Sequence, residues 1–146
     1  MIAYFDASAL VKLFLDEVDS EVARHVWGSG VHVATSRVSH AELACALAAA
    51  VRNGRHVHDV VDADVVDGTF LAERADFVEP DRVVIDSAAV VGVRHGLGGL
   101  DAIHVASALE LADFGPTLVS WDERQRAAAR AEGLPVYPET TTAALR

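Results

Sequence analysis

Short, uniformly apolar runs alternate with helix-like segments along this chain of 146 residues. The runs do not alternate between apolar and polar residues, which indicates strands that are buried on both faces. They span residues 2–5, 31–35, 117–121 and 134–137. Because parallel strands need a long crossover between them, usually a helix, the pattern predicts an α/β fold with a short parallel sheet covered by helices on both faces.

The predicted helices occupy most of the remaining chain. Apolar periodicity, together with Gly or Asn stops, places them at 7–16, 19–28, 37–53, 57–75, 81–95, 101–113 and 123–132. The segment 76–79 is a brief strand or an extended link. Since no repeat or linker interrupts the pattern, we expect a single domain over residues 1–146.

The composition restricts the class of protein. Hydrophobic residues make up 51% of the chain and charged residues 23%, as in globular proteins. The single cysteine, Cys45, allows no disulfide within the chain, which favours a reducing compartment such as the cytoplasm. No apolar stretch reaches the roughly 20 residues that span a bilayer, so we expect no membrane association.

The net charge of −10, with Lys12 as the only lysine, argues against non-specific binding of nucleic acid through a cationic surface. It is compatible with a metal-dependent nuclease, because there the acids hold a cation that contacts the phosphate.

Four acids stand where chemistry is expected: Asp6, Glu42, Asp101 and Asp122. All but Glu42 lie where a strand-like or Gly-rich segment gives way to a helix. In α/β proteins such junctions gather at one edge of the sheet. Carboxylates gathered there repel one another unless a cation neutralises them, so the pattern suggests a cation site.

Each acid also has a structural alternative. Asp6 could serve only as a helix N-cap, and Asp122 with Gln125 resembles a capping box. Asp101 carries the same ambiguity as a possible cap, although it begins an otherwise apolar helix face, which places it toward the interior. Glu42 lies in the middle of an Ala-rich helix, where periodicity allows either a buried face that demands a partner or an exposed face.

Four segments together resemble the PIN domain family, specifically the VapC-type toxin ribonucleases of toxin–antitoxin pairs. They are Tyr4–Lys12, Ser39–Leu43, Leu100–Ala108 and Leu118–Arg124. They occur in the family's order and with similar spacing, within a resemblance that runs from Ile2 to about Tyr137. The resemblance implies a three-layer α/β/α fold with a short central parallel sheet.

The resemblance also implies a Mg²⁺- or Mn²⁺-dependent endoribonuclease that acts as the toxin of a type II toxin–antitoxin system. The four acids would form the catalytic set, with Asp6 and Asp101 as the main direct metal ligands. The other two would bind through water, take a second metal or orient the nucleophile. Ser8 and Ser120 would support the ligands by hydrogen bonds or contact phosphate.

Arg52, Arg94 and Arg124 are candidates for RNA contacts, with solvated surface charge as the alternative for each. The family further implies a homodimer and a cognate antitoxin protein. Two other functions stay open. One is a PIN-like scaffold that binds a partner without cutting RNA, and the other is a DNA-directed nuclease, because the sequence does not distinguish the sugar.

Overall fold

The computed structural model describes residues 1–58 and 63–142 of the chain. Within them the strands form one five-stranded, all-parallel sheet in the order β3-β2-β1-β4-β5. The strands are β1 (Ile2–Phe5), β2 (His32–Ser36), β3 (Asp76–Val78), β4 (Pro116–Val119) and β5 (Val136–Tyr137). The predicted short parallel sheet is therefore confirmed.

Helices connect every pair of consecutive strands in this part of the chain. They are α1 (Ala7–Val11), α2 (Ser20–Gly28), α3 (Val38–Arg52), α4 (Ala63–Val66), α5 (Thr69–Ala72), α6 (Arg82–His95), α7 (Gly99–Glu110) and α8 (Glu123–Ala131). A short 3₁₀ helix, Ala112–Phe114, precedes β4.

The helices cover the two faces of the sheet in two separate layers. On one face, Leu10 of α1 and Leu43 of α3 pack with Phe5 of β1. On the other face, Ala88 of α6 and Ala106 of α7 pack in the core that contains Tyr4, Leu118 of β4 and Ala129 of α8. The strand order reverses direction after β3, so right-handed crossovers place the later helices on the opposite face. This is the expected three-layer α/β/α architecture.

The predicted helix 7–16 ends early, at Val11. The chain then runs through turns to Leu15, which leaves the helical path and forms an isolated antiparallel bridge with Val57. Because Leu15 is buried in the same core as α1, this turn keeps its side chain packed while the backbone changes direction.

The predicted helix 57–75 is also interrupted. Residues 59–62 lie outside the described residues, and beyond them the structure has the short helices α4 and α5. Gly68 separates them with φ of 83°, a left-handed conformation that glycine adopts without strain. A Cβ at this position would lie 3.0 Å from the His40 ring, so a larger residue would require that ring to shift.

The carboxyl ends of β1 and β4 lie side by side in the middle of the sheet. Phe5 pairs with Val119, and the backbone N–H of Asp6 donates to the carbonyl oxygen of Val119 at 3.2 Å. From β1 the chain moves toward β2, and from β4 it moves the opposite way to β5. Such a reversal leaves a crevice beyond the strand ends, where ligands bind in open α/β sheets.

In residues 1–58 and 63–142, no single helix is long and apolar enough to cross a membrane. The helices α6 and α7 satisfy the criteria of length and composition only as a pair, and that pair is bent by 117°.

Candidate active site

Asp6, the first residue after β1, is completely buried at the crevice between β1 and β4. Its Oδ1 accepts hydrogen bonds from the Ala9 N–H at 2.9 Å and the Ser8 hydroxyl at 2.7 Å. Its Oδ2 accepts from the Ser120 hydroxyl at 2.5 Å. Burial raises the pKa of Asp6, although the hydrogen bonds from these two hydroxyl groups and from the Ala9 N–H favour its charged form. The residue therefore caps α1 and also belongs to a polar cluster.

The two serines join Asp6 to the segment that follows β4. Each hydroxyl donates to the Asp6 carboxylate and accepts from a backbone N–H: Ser8 from Trp121 at 2.9 Å, and Ser120 from Asp122 at 3.1 Å. Because each hydroxyl group both donates and accepts a hydrogen bond, the two serines fix the Asp6 carboxylate relative to the loop that carries Asp122.

Asp122 stands at the N-terminus of α8, where its Oδ1 accepts from the Gln125 N–H at 2.9 Å. This is the cap that the spacing of Asp122 and Gln125 predicts. The Gln125 side chain continues the network, since its Nε2 donates to Oδ1 of Asp101 at 2.9 Å. Gln125 thus links two acids that lie on different helices.

Asp101 lies in the first turn of α7 and is not the cap, because Gly98 occupies that position. Burial raises the pKa of Asp101, and the negative charges of Asp122 and Glu42 raise it further. The Asp101 carboxylate is therefore close enough to those of Asp122 and Glu42 to be repelled by both.

Glu42 completes the group from α3 through a buried histidine. Its Oε2 is 2.6 Å from Nε2 of His104, and the opposite nitrogen, Nδ1, is 2.9 Å from the Tyr4 hydroxyl. The exposed fraction of the His104 side chain is 1%, whereas that of Glu42 is 21%. Of the two faces that the sequence leaves open for Glu42, the structure selects the one directed at α7, with a partner.

The four acids thus come from four elements and meet at one edge of the sheet. Hard carboxylate oxygens are the donors that Mg²⁺ prefers, and Oδ2 of Asp6 accepts only one hydrogen bond from the described residues, which leaves a lone pair for a cation. Within residues 1–58 and 63–142, no three Asp, Glu, His or Cys side chains are placed to hold a metal by themselves. A site with few protein ligands fits Mg²⁺, which keeps several of its waters.

A cleft of about 500 Å³ opens beside the acids. Ser8, Glu42 and Trp121 line it together with Lys12 and Glu17. The Lys12 ammonium is held by Glu17 at 3.2 Å and lies 5.4 Å from the centre of the Trp121 ring. The acidic cluster is therefore reached through an open and partly apolar depression.

The three candidate arginines lie at different distances from this cluster. Arg124 is exposed in the first turn of α8, two residues after Asp122. Arg94 pairs with Glu132 at the far end of α8, about 15 Å along the helix from Asp122. Arg52 ends α3, ten residues and about 15 Å beyond Glu42. The structure therefore brings only Arg124 of these three near the acids.

Sequence reasoning gave no role to Gln125 beyond a cap and none to Tyr4. The sequence does contain a signal for Tyr4 and one for His104. Tyr4 lies in β1, two residues before Asp6, and this spacing places both side chains on the same face. His104 is three residues after Asp101 on one helix, which places it on the same side of that helix.

Comparison with known proteins gives consistent matches. Residues 3–131 match the family model described as the PIN domain. Ribonuclease VapC45 and Ribonuclease VapC49, from the CDC 1551 and H37Rv strains of Mycobacterium tuberculosis, are each 38% identical over 145 residues. These alignments cover 94% of this chain and 95% of each relative.

Among solved structures, a toxin–antitoxin complex from Klebsiella pneumoniae contains a chain that superposes with a TM-score of 0.64 at 18% identity, covering 95% of this chain and 98% of that one. FitAcB from Neisseria gonorrhoeae superposes with a TM-score of 0.59 at 17% identity, covering 94% and 96%. At these identities the superpositions establish a shared fold.

Proposed function

The chain belongs to the PIN domain family, and from this premise we propose that it is a metal-dependent endoribonuclease, the toxin of a type II toxin–antitoxin pair. The observation that carries the proposal is the convergence of Asp6, Glu42, Asp101 and Asp122 at the reversal point of the sheet. The relatives that are 38% identical carry the name ribonuclease, which supports RNA as the substrate.

We assign the direct binding of Mg²⁺ or Mn²⁺ to Asp6 and Asp101. Glu42 and Asp122 act through water or orient the nucleophile. A bound ion would supply positive charge that neutralises the phosphate and makes a water molecule more acidic. Burial and, after it, the charges of Asp122 and Glu42 raise the pKa of Asp101, which supports this assignment because a cation would relieve the repulsion.

The other polar residues hold the acids in place. Ser8 and Ser120 fix both oxygens of Asp6, and Gln125 fixes one oxygen of Asp101. Such fixation leaves less reorganisation to be done during the reaction. Arg124, exposed beside Asp122, is the arginine best placed to contact an RNA phosphate.

We also propose a cognate antitoxin and a second copy of this chain as protein partners, with residues 1–146 forming one domain. Structural relatives such as the Klebsiella pneumoniae chain come from toxin–antitoxin complexes, which supports the first partner. The net charge of −10 suits a basic segment of an antitoxin near the acidic site.

Cleavage of a mixed RNA pool by antitoxin-free protein tests the proposal, with Mg²⁺, Mn²⁺ or EDTA. We expect cutting with either metal and none in EDTA, and a loss of at least about 100-fold in Asp6→Asn and Asp101→Asn. Asp113→Asn is the matched control, because Asp113 is exposed in the 3₁₀ helix before β4, at the opposite edge of the sheet. Equal activity in all three variants would contradict the proposal.

Two further arms address the alternatives. A DNA pool of the same sequences distinguishes a DNA-directed nuclease, which would cut it in preference to RNA. Titration with Mn²⁺ distinguishes a non-catalytic scaffold, since a scaffold need not have a saturable site that is lost in Asp6→Asn.

A further inference from the structure

We propose that His104 is a positioning residue that orients the Glu42 carboxylate for the reaction, and that Tyr4 fixes the histidine ring in the tautomer that this requires. The inference rests on the proposed function, because orientation of Glu42 matters only if the acidic cluster is an active site.

The two hydrogen bonds of the His104 ring determine which of its nitrogens donates and which accepts. A tyrosine hydroxyl is protonated at neutral pH, so the Tyr4 hydroxyl can donate a hydrogen bond. With Tyr4 donating to Nδ1, the imidazole carries its own hydrogen on Nε2. A carboxylate only accepts hydrogen bonds, and Nε2–H is therefore the donor to Oε2 of Glu42 at 2.6 Å.

Glu42 needs such a donor more than the other acids do. It lies within α3 and is not a cap, so no backbone N–H at a helix start holds its carboxylate. Three side-chain torsions leave a glutamate free to turn into solvent, and the negative charge of Asp101 favours that movement. The bond from His104 opposes it.

The ring itself is held firmly. The exposed fraction of its side chain is 1%, and the rings of Tyr4 and His104 meet edge to face with centroids 6.0 Å apart. Tyr4 belongs to β1, His104 to α7 and Glu42 to α3. The hydrogen bonds between these three side chains therefore join the sheet to one helix of each layer. Glu42 is therefore placed relative to Asp6 by the core and not by the surface.

Substitutions at His104 test the proposal with a short RNA that the wild type cleaves. A glutamine amide can occupy the position of Nε2 and donate to Glu42, whereas an asparagine amide reaches only the position of Nδ1. We expect His104→Asn to lower kcat about 10- to 100-fold with KM nearly unchanged, and His104→Gln to recover part of the loss. Full activity of His104→Asn in an active preparation would overturn the proposal.

A double-mutant cycle separates positioning from a general loss of structure. If His104 acts through Glu42, the double variant Glu42→Ala/His104→Asn should cleave no more slowly than Glu42→Ala alone in single-turnover reactions. Additive losses, or a loss that follows the thermal stability of the variants, would show that His104 has only a structural role.

A spectroscopic measurement is independent of cleavage. In ¹⁵N NMR of the metal-free protein, His104 should show the Nε2–H tautomer, with a signal that shifts in Glu42→Gln and in Tyr4→Phe. Glu132→Gln is the control, because Glu132 contacts His95 and not His104. The Nδ1–H tautomer would overturn the inference. Inactive wild-type protein would instead indicate failure of the proposed function itself.

Discussion

Two of the four acids serve structure and the candidate site at once. Asp6 caps α1 and Asp122 caps α8, while both join the hydrogen-bonded cluster at the strand ends. The cap and the site are therefore not exclusive alternatives, because a carboxylate has two oxygens and one suffices for a cap. Asp101 caps no helix, so no hydrogen bond to a helix N-terminus offsets the cost of burying its carboxylate.

Asp101→Asn should make the metal-free protein more stable at neutral pH. The pKa of Asp101 is raised, so the folded state favours its protonated form, and stability is lost as pH rises through that pKa. Because the side chain is partly solvated, the gain is small, on the order of 1–3 °C in Tm. Thermal unfolding in EDTA at pH 7 measures it.

The same variant has a defined pH dependence. The difference in Tm between Asp101→Asn and the wild type should shrink as pH falls toward about 3, where the aspartate is largely protonated in both states. Adding Mn²⁺ should stabilise the wild type but not the variant. A variant that is less stable than the wild type at pH 7 in EDTA would contradict the repulsion between the acids.

The helix α8 gives the candidate site a rigid edge. Its first turn carries Asp122 as the cap and Gln125 as the bridge to α7, and its amide dipoles favour negative charge at this end. The buried Arg126 anchors the same turn, since its guanidinium donates to the Ser120 carbonyl oxygen at 2.8 Å. The element thus positions both Asp122 and Asp101.

Substitutions at Asp122 should separate capping from catalysis. Asparagine caps helices as well as aspartate does, so Asp122→Asn should keep its stability within a few tenths of a kcal/mol. It should lose about 10- to 100-fold in RNA cleavage, because the charge is gone. Asp122→Ala should lose the activity and also about 1 kcal/mol of stability. Urea unfolding and the cleavage assay measure both.

Asp81 provides the matched control for this experiment. It caps α6 in the same way, accepting from the Val84 N–H at 3.0 Å, but it follows the edge strand β3. Asp81→Ala should lose a similar amount of stability with no loss of cleavage. Equal losses of activity at both positions would mean that the Asp122 effect is indirect.

The overall charge limits how the protein can hold RNA. With 22 acidic and 12 basic side chains, few phosphates can be neutralised by the protein surface. Under the proposed function we therefore expect RNA binding to depend on a cation at the acidic cluster and on local contacts such as Arg124, and not on a broad basic surface.

RNA binding should therefore require a divalent cation. By fluorescence anisotropy with Ca²⁺, we expect at least about tenfold tighter binding than in EDTA, and a slope of log K against log salt below about 3 in magnitude. Arg124→Ala should weaken the binding more than Arg52→Ala, the distant control. Tight binding in EDTA with a steep salt slope would contradict this expectation.

The layered fold, and the place of Asp6 and Asp122 at one edge of its sheet, could be predicted from the order of residues alone. Buried parallel strands need apolar side chains on both faces, whereas helices need apolar side chains at a helical period. The local sequence therefore distinguishes β1, β2 and β4 from the helices. Asp6 and Asp122 stand directly after strands, which places them at one edge of any parallel sheet.

Contacts between distant segments carry no such local pattern. The helix α1 ends at Val11 and Leu15 forms an antiparallel bridge with Val57, although the apolar periodicity continues to residue 16. The face of α3 that Glu42 occupies was equally undetermined, because alanines fit a buried or an exposed surface. Glu42 occupies the face that contacts His104, a residue 62 positions further along the chain. The two side chains meet only when α7 packs over the ends of the strands. Local propensity sets the elements, whereas the pairing of side chains across them follows from the packing of the three layers.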